Sequence, residues 1–280
     1  MYDLAAGGRG LHAFPESRLH HPDWPSTQNR TRMIAPLSDR ELAGIPFATA
    51  SLSQATQWLC SRSLMRVGGA DIHLLNAYSV ALAETDASFR KCIVAASCNF
   101  PDGKPISMLS KLTTRPLYQV RGPSLFERVM DEGRQHNLRH YLLGSTPRTL
   151  ELLRASLEAK YPGVRIVGSM SPPFRSLSQA DYEQQDKAIS AAEPDIVWVG
   201  LGTPKQDFEA QRLAVESNFV AVAVGAAFDF SAGTKKSAPE WMSKIGLEWI
   251  FRLAAEPKRL WRRYLIGNFV FLYSAVRRGI

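Results

Sequence analysis

Two short runs, Asp195–Val199 and Val220–Val224, are nearly unbroken stretches of apolar, largely β-branched side chains. A strand with one wet face alternates apolar and polar residues. A strand buried on both faces does not, and that condition belongs to parallel sheets covered by helices. Shorter runs of the same kind recur at Ile72–Leu75, Ile93–Cys98, His140–Leu143 and Val164–Val167. Between them lie segments with helical spacing: Gln54–Met65, Ala77–Phe89, Ser124–Gln135, Thr146–Lys160 and Gln179–Ala192. Thr146-Pro147 suits a helix start, with Thr as N-cap and Pro in the first turn. Alternation of this kind predicts an α/β fold with a mostly parallel sheet, whose ligands bind at the carboxyl ends of the strands.

Composition sets the borders. Residues 1–48 are rich in Gly, Pro, His, Ser and Arg without a sustained period and read as a loosely ordered leader. Residues 49–236 hold the α/β pattern, and residues 237–280 form a basic appendage. The net charge is +8, which suits phosphates, anionic lipid or nucleic acid. From Lys235 onward ten cations face only Glu240, Glu248 and Glu256, so much of that charge is terminal. Three cysteines, Cys60, Cys92 and Cys98, share no metal-ligand spacing and suit a reduced compartment. No run reaches the ~18–20 apolar residues of a membrane-spanning helix, and no secretory signal is evident. The expectation is a cytoplasmic protein, peripheral on the inner face of the membrane.

Three loops at predicted strand ends carry candidate chemistry. In Asn99-Phe100-Pro101-Asp102-Gly103 a carboxylate is held between Pro and Gly; alone, this also fits a turn Asp bonding its own backbone. In Gly200-Leu201-Gly202-Thr203-Pro204-Lys205-Gln206 two glycines allow close backbone approach. The helix that follows offers N–H groups to a phosphate, and Lys205 adds a cation. The loop is neither GxGxxG nor a Walker loop, so a plain tight turn stays open. In Gly225-Ala226-Ala227-Phe228-Asp229 small residues admit a ligand and Asp229 reaches a hydroxyl, or the same residues serve packing and capping.

The tail has a different pattern. From Pro257, Leu260, Trp261, Tyr264 and Leu265 fall on one helical face, and Arg259, Arg262 and Arg263 on another. Such a helix lies at a membrane interface, or packs on the core with a solvated basic face. The chain has no HExxH, CxxC or Gly-x-Ser-x-Gly, and no Asp-x-Asp triplet to hold a metal on a diphosphate. Charge stabilisation is therefore expected from arginines and backbone N–H groups, with no metal site and no cofactor.

Together the segments resemble the WecG/TagA/CpsF family of bacterial glycosyltransferases. The matching pieces are Asn76 in Leu-Asn-Ala, Phe100-Pro-Asp-Gly, Val199-Gly-Leu-Gly-Thr-Pro-Lys-Gln206, Gly225-Ala-Ala-Phe-Asp-Phe230, Ser237-Ala-Pro-Glu-Trp-Met242 and Gly246-Leu-Glu-Trp-Ile-Phe-Arg-Leu253 with Glu256-Pro. They run in the family's order across residues 70 to 270. The resemblance implies an inverting, metal-independent transferase on a Rossmann-like sheet flanked by helices. It implies a UDP-sugar donor and a sugar-diphospho-polyprenol acceptor. By motif, Asp102 matches the family's general base, and Arg252, Arg259 and Arg262 match tail arginines that hold diphosphate. Asn76, Gly200, Gly202, Pro204, Lys205, Gln206, Gly225 and Asp229 complete the substrate-binding set. Leu74 stands where the family often has Thr, Gly122-Pro123-Ser124 replaces Gly-x-Asp, and Asp207 replaces Glu.

The function expected is transfer of a sugar (N-acetylmannosamine, glucose or similar) from its UDP donor to a lipid-linked acceptor in cell-surface or exopolysaccharide assembly. The partners are then the UDP-sugar, the polyprenyl-diphosphate sugar and an anionic membrane surface, with no nucleic acid and with a homo-oligomer left open. The alternatives are a nucleotide-dependent oxidoreductase, against which the missing GxGxxG argues, and a basic non-enzymatic module binding membrane or nucleic acid.

Overall fold

The structure, a computed structural model, describes residues 37–65, 67–236, 238, 239, 242 and 247–279, with the side chains of residues 248, 259 and 263 outside that description. Most of the stretch read as a leader, residues 1–36, also lies outside it. The end of that stretch does not: β1 (Asp39–Leu42) and β2 (Ile45–Ala48) form an antiparallel hairpin. Its Leu42, Ile45 and Phe47 are wholly buried. The hairpin belongs to the same compact unit as everything that follows, which runs from Pro36 to Ile280.

Next come α1 (Leu52–Met65), β3 (Ala70–Leu75), α2 (Ala77–Thr85), α3 (Ala87–Val94), β4 (Cys98–Pro101), α4 (Lys104–Ser110) and α5 (Gly122–Glu132). They are followed by β5 (Arg139–Gly144), α6 (Pro147–Lys160), β6 (Arg165–Met170), α7 (Gln179–Ala192), β7 (Ile196–Gly200), α8 (Lys205–Ser217), β8 (Val220–Ala223) and α9 (Ala227–Ser231). Two tail helices, α10 (Glu248–Ala255) and α11 (Pro257–Arg278), follow, and a short 3-10 turn (Gly133–His136) extends α5. Six strands make one sheet in the order β4-β3-β8-β7-β5-β6, every neighbouring pair parallel. This is the expected α/β, Rossmann-like arrangement.

Burial follows strand position. All six residues of β3 and all four of β8 are buried, whereas edge strand β6 buries only Ile166. On one face of the sheet, Leu59 of α1, Phe126 and Val129 of α5 and Leu153 of α6 close the core. On the other, Ile189 of α7 and Ala210 and Leu213 of α8 do so. The opposite edge strand, β4, is covered by the hairpin, where Asn99 Nδ2 donates to Pro46 O at 2.9 Å.

One predicted strand is wrong. The run Ile93–Cys98 splits, with Ile93 and Val94 ending α3 and the strand starting at Cys98. The longer predicted helix Ala77–Phe89 also breaks, because Asp86 closes α2 and its side chain accepts the Phe89 N–H to open α3. Phe89, Cys92 and Ile93 then recur at i, i+3, i+4 and bury one helical face. A short apolar run does not distinguish a strand from the end of a helix, and here the Asp86 cap, seven residues before Ile93, decides. The Thr146-Pro147 start is as predicted, with Thr146 Oγ1 accepting the Thr149 N–H at 3.1 Å.

Candidate active site

Four loops meet at the carboxyl end of the sheet. β3 runs out at Asn76, whose Oδ1 accepts the N–H groups of Tyr78 (3.0 Å) and Ser79 (3.3 Å) and so caps α2. β4 runs out at Asp102, which is held on three sides. Its N–H donates to Leu75 O at 2.8 Å, its carbonyl accepts from Gln119 Nε2 at 2.8 Å, and its Oδ1 accepts the Gly122 N–H at 2.9 Å. A carboxylate so constrained cannot swing away from the cleft.

The loop after β7 is shaped by Gln206, buried in the first turn of α8. Its Oε1 accepts the Gly202 N–H at 3.0 Å, and its amide lies 3.5 Å from Thr203 Oγ1. Gly200 admits no side chain, since a Cβ there would stand 2.5 Å from the Phe228 ring. Gly225, after β8, has φ +54 and backs onto Gln206. In α9, Asp229 receives Thr234 Oγ1 at 3.2 Å and pairs with Lys235 Nζ at 3.3 Å.

These loops and the tail enclose a cavity of about 530 Å³. Asn76, Asp102, Gly200, Gly202, Gln206, Gly225, Asp229 and Arg252 all line it, so the structure brings most of the predicted residues together. Arg252 also lays its guanidinium 4.9 Å from the centre of the Phe230 ring. A second, smaller cavity of about 90 Å³ opens beside it, lined by Tyr78, Lys104, Pro105, Gln119, Arg121, Trp249 and Asn268. Asn76, Asp102, Arg252 and Tyr264 line both. Asp102 therefore stands where the two spaces meet.

Other predicted residues fall elsewhere. Lys205 is exposed, with its ammonium 5.7 Å from the Phe174 ring, and lines neither cavity. A residue at the start of a helix points with the helix surface, not with the loop that precedes it. Pro204 sits at the N-cap of α8 behind the lining residues, its peptide bond with Thr203 cis. Arg262 is exposed, stacks 5.2 Å from the Trp261 ring and lines neither cavity. The Arg259 side chain lies outside the described residues. Among the described residues, the large cavity's other cations are Lys235 and Lys236. Sequence reading counted them only as net charge; their place five and six residues beyond Phe230, the end of the Gly225–Phe230 motif, was the available signal.

Helix α11 divides its apolar residues between two surroundings. Leu260, Phe271 and Ala275 are buried, and Gly267 packs on Tyr78 of α2. Tyr264, grouped by sequence with the interfacial residues, turns inward to the cavities and tilts against Trp249 at 6.0 Å. Trp261 and Leu265 are exposed as expected, and Ile266, Phe269, Leu272, Tyr273 and Val276 extend their surface. Among the described residues no helix is long and apolar enough to cross a membrane.

Comparison with known proteins gives the family. Over 223 residues, 79% of this chain and 85% of the relative, the sequence is 27% identical to an N-acetylglucosaminyldiphosphoundecaprenol N-acetyl-beta-D-mannosaminyltransferase of Bacillus subtilis (strain 168). A protein of the same name from Bacillus spizizenii is 32% identical over 176 residues, 61% of this chain and 66% of the relative. The model of the Glycosyl transferase WecG/TagA/CpsF family matches residues 40–280, which take in all of the hairpin but Asp39, the whole sheet, both cavities and the tail helices. This chain belongs to that family and is a glycosyltransferase.

Proposed function

We propose that this protein transfers a sugar from a UDP-sugar to a polyprenyl-diphosphate-linked sugar at a membrane surface, with inversion at the anomeric carbon. The observation that carries this reading is the position of Asp102 between two cavities of unequal size. The larger, floored by glycine loops and bordered by Lys235, Lys236 and Arg252, suits a nucleotide diphosphate. The smaller adjoins α11 and suits the reacting end of an acceptor whose lipid lies outside. Asp102 takes the proton from the acceptor hydroxyl as its oxygen bonds to the donor's anomeric carbon. The bond from that carbon to the diphosphate oxygen breaks, and the electron pair leaves with UDP. The departing charge meets the cations and loop N–H groups, which act most strongly where water is excluded. A positioned base of this kind contributes ~10²–10⁴-fold.

The names of the two relatives point to an N-acetylglucosaminyldiphosphoundecaprenol as the acceptor class and to N-acetylmannosamine as a donor sugar. Leu74, buried and lining the larger cavity where the family often has Thr, favours a donor that needs no hydroxyl contact at that wall. The direct test is a panel of UDP-sugars with a synthetic lipid-diphospho-sugar acceptor, read by mass spectrometry. One UDP-sugar giving a product heavier by one sugar is expected; no transfer from any of them overturns the reading. Because side-chain cations border the proposed diphosphate space, full turnover after exhaustive chelation is expected as well. Loss on chelation, restored by magnesium or manganese, would show that the diphosphate is held differently.

A further inference from the structure

The segment from Gly103 to Phe126 carries Lys104, Lys111, Arg115 and Arg121 and no Asp or Glu. It borders the smaller cavity at Gly103–Pro105 and again at Gln119 and Arg121, which share its wall with Tyr264 and Asn268 of α11. Between those ends it presents three large apolar side chains to solvent: Met108 (58% exposed), Leu112 (76%) and Tyr118 (54%). Met108 lies in the last turn of α4, and Leu112 follows in the turn just beyond it.

This presentation is built. Ile106 and Leu117 are buried and anchor the segment in the core. Ser110 Oγ accepts the Leu117 N–H at 2.8 Å and donates to Ser107 O at 2.8 Å. Arg40 of the hairpin reaches across to Thr113 Oγ1 and the carbonyl of Arg115. The segment is thus held in place with three large apolar side chains exposed, and Lys111 and Arg115 are exposed among them.

We propose that Met108, Leu112 and Tyr118, with Lys111 and Arg115, form a second docking surface for an anionic bilayer, so that the protein sits on lipid on both sides of the smaller cavity. The proposal rests on the function proposed above. A lipid surface is the occupant that the chemistry favours: apolar side chains inserting at headgroup depth, and cations of a segment that itself carries no carboxylate meeting lipid phosphates. Both surfaces adjoin the same mouth, since Tyr118 is next to Gln119, and Leu265 and Phe269 are next to Tyr264 and Asn268, which line it. A polyprenyl diphosphate confined to the bilayer would then meet the cavity between two contacts, which hold the mouth at the depth of its headgroup.

The test uses labels. The three native cysteines are buried, and burial raises their thiol pKa values, those of Cys60 and Cys92 to about 12. A cysteine added at Leu112, Leu265 or Glu158 therefore takes an environment-sensitive fluorophore selectively. Glu158, near the end of α6 that leads to the amino end of β6, is the solvent control. On phosphatidylglycerol vesicles the Leu112→Cys and Leu265→Cys labels should shift to the blue, and the Glu158→Cys label should not. In parallel, Leu112→Ser with Tyr118→Ser should weaken vesicle binding at least about fivefold, without changing turnover on a water-soluble acceptor analogue. A label at Leu112 that stays in water while the one at Leu265 moves into lipid overturns the second surface and leaves the proposed function standing. If neither label moves, membrane docking fails as a whole, while turnover on the soluble analogue still reports on the transferase.

Discussion

Asp102 is fixed by groups that do not react, and this makes its removal informative. Asp102→Asn preserves the shape of the loop, and its side-chain oxygen still accepts the Gly122 N–H, so the fold should be unaffected. Turnover should fall roughly 10²-fold or more with UDP affinity nearly unchanged, as measured by initial rates and calorimetry. Near-normal turnover would remove Asp102 from the mechanism. Asn76 serves two ends with one side chain: its oxygen caps α2 while the residue lines both cavities. Asn76→Asp keeps the capping oxygen and loses the amide donor, so melting should hold while activity falls. Asn76→Ala should lose about 1 kcal/mol of stability in addition. Equal activity in Asn76→Asp and wild type would reduce Asn76 to its capping role.

At the scale of elements, β3 holds a charge that the motifs do not explain. His73, wholly buried, lies between Asp207 (Nδ1 to Oδ1, 3.0 Å) and Asp71 (Nε2 to Oδ2, 3.1 Å). Burial by itself would lower its pKa, but the hydrogen bonds and charges of the two carboxylates outweigh it and raise the value to about 9. Asp71, in turn bonded by Ser97, is lowered despite its own desolvation. The imidazolium thus ties strand β3 to the first turn of α8, one residue from the Gln206 that shapes the glycine loop. A folded-state pKa above the unfolded 6.5 gives stabilisation that is complete below pH 6.5 and disappears as pH rises through about 9. Its size is no more than about 3 kcal/mol. His140 works in the opposite direction. Burial lowers its pKa to about 3, so its contribution is lost as pH falls below 6.5. Thermal melts should therefore show stability declining from about pH 6.5 to 9. A flat profile across that range would mean that His73 is neutral in the folded protein.

Across the whole molecule, α11 is both a packed element and an exposed surface. Its far end is clamped, with Ser274 Oγ and Arg278 Nε each 2.7 Å from Glu84 Oε1, and Gly279 O accepting the Ala43 N–H at 2.8 Å. Those bonds hold the Glu84 carboxyl below its ordinary range despite burial. Glu84→Ala should cost about 1–3 kcal/mol and speed amide exchange over residues 271–279. Trp261→Ser with Leu265→Ser should instead release the protein from anionic vesicles at unchanged melting temperature, since both side chains are exposed. If that double mutant melts earlier and binds vesicles as before, the face serves packing alone. The family match also disposes of the oxidoreductase and non-enzymatic readings, since the chain is a glycosyltransferase.

Period and punctuation were readable along the chain because their causes are local. Continuous apolar runs required strands buried on both faces, Thr146-Pro147 required a helix start, and the glycines at 200, 202 and 225 marked close backbone approach. Asp102 was readable as a candidate because Pro and Gly flank it in sequence. What lay beyond sequence depended on contacts between distant segments. The hairpin at 39–48 looked like leader because its partner is the far edge of the sheet. Ile93 looked like strand because its helical face is completed by residues on other elements. Lys205 and Lys235 are alike as sequence, yet one faces solvent and the other the cavity, because orientation depends on where α8 and the segment after α9 pack. Local chemistry determined which elements form and which residue types gather at their ends; the packing of α11 over those ends decided which side chains share a space.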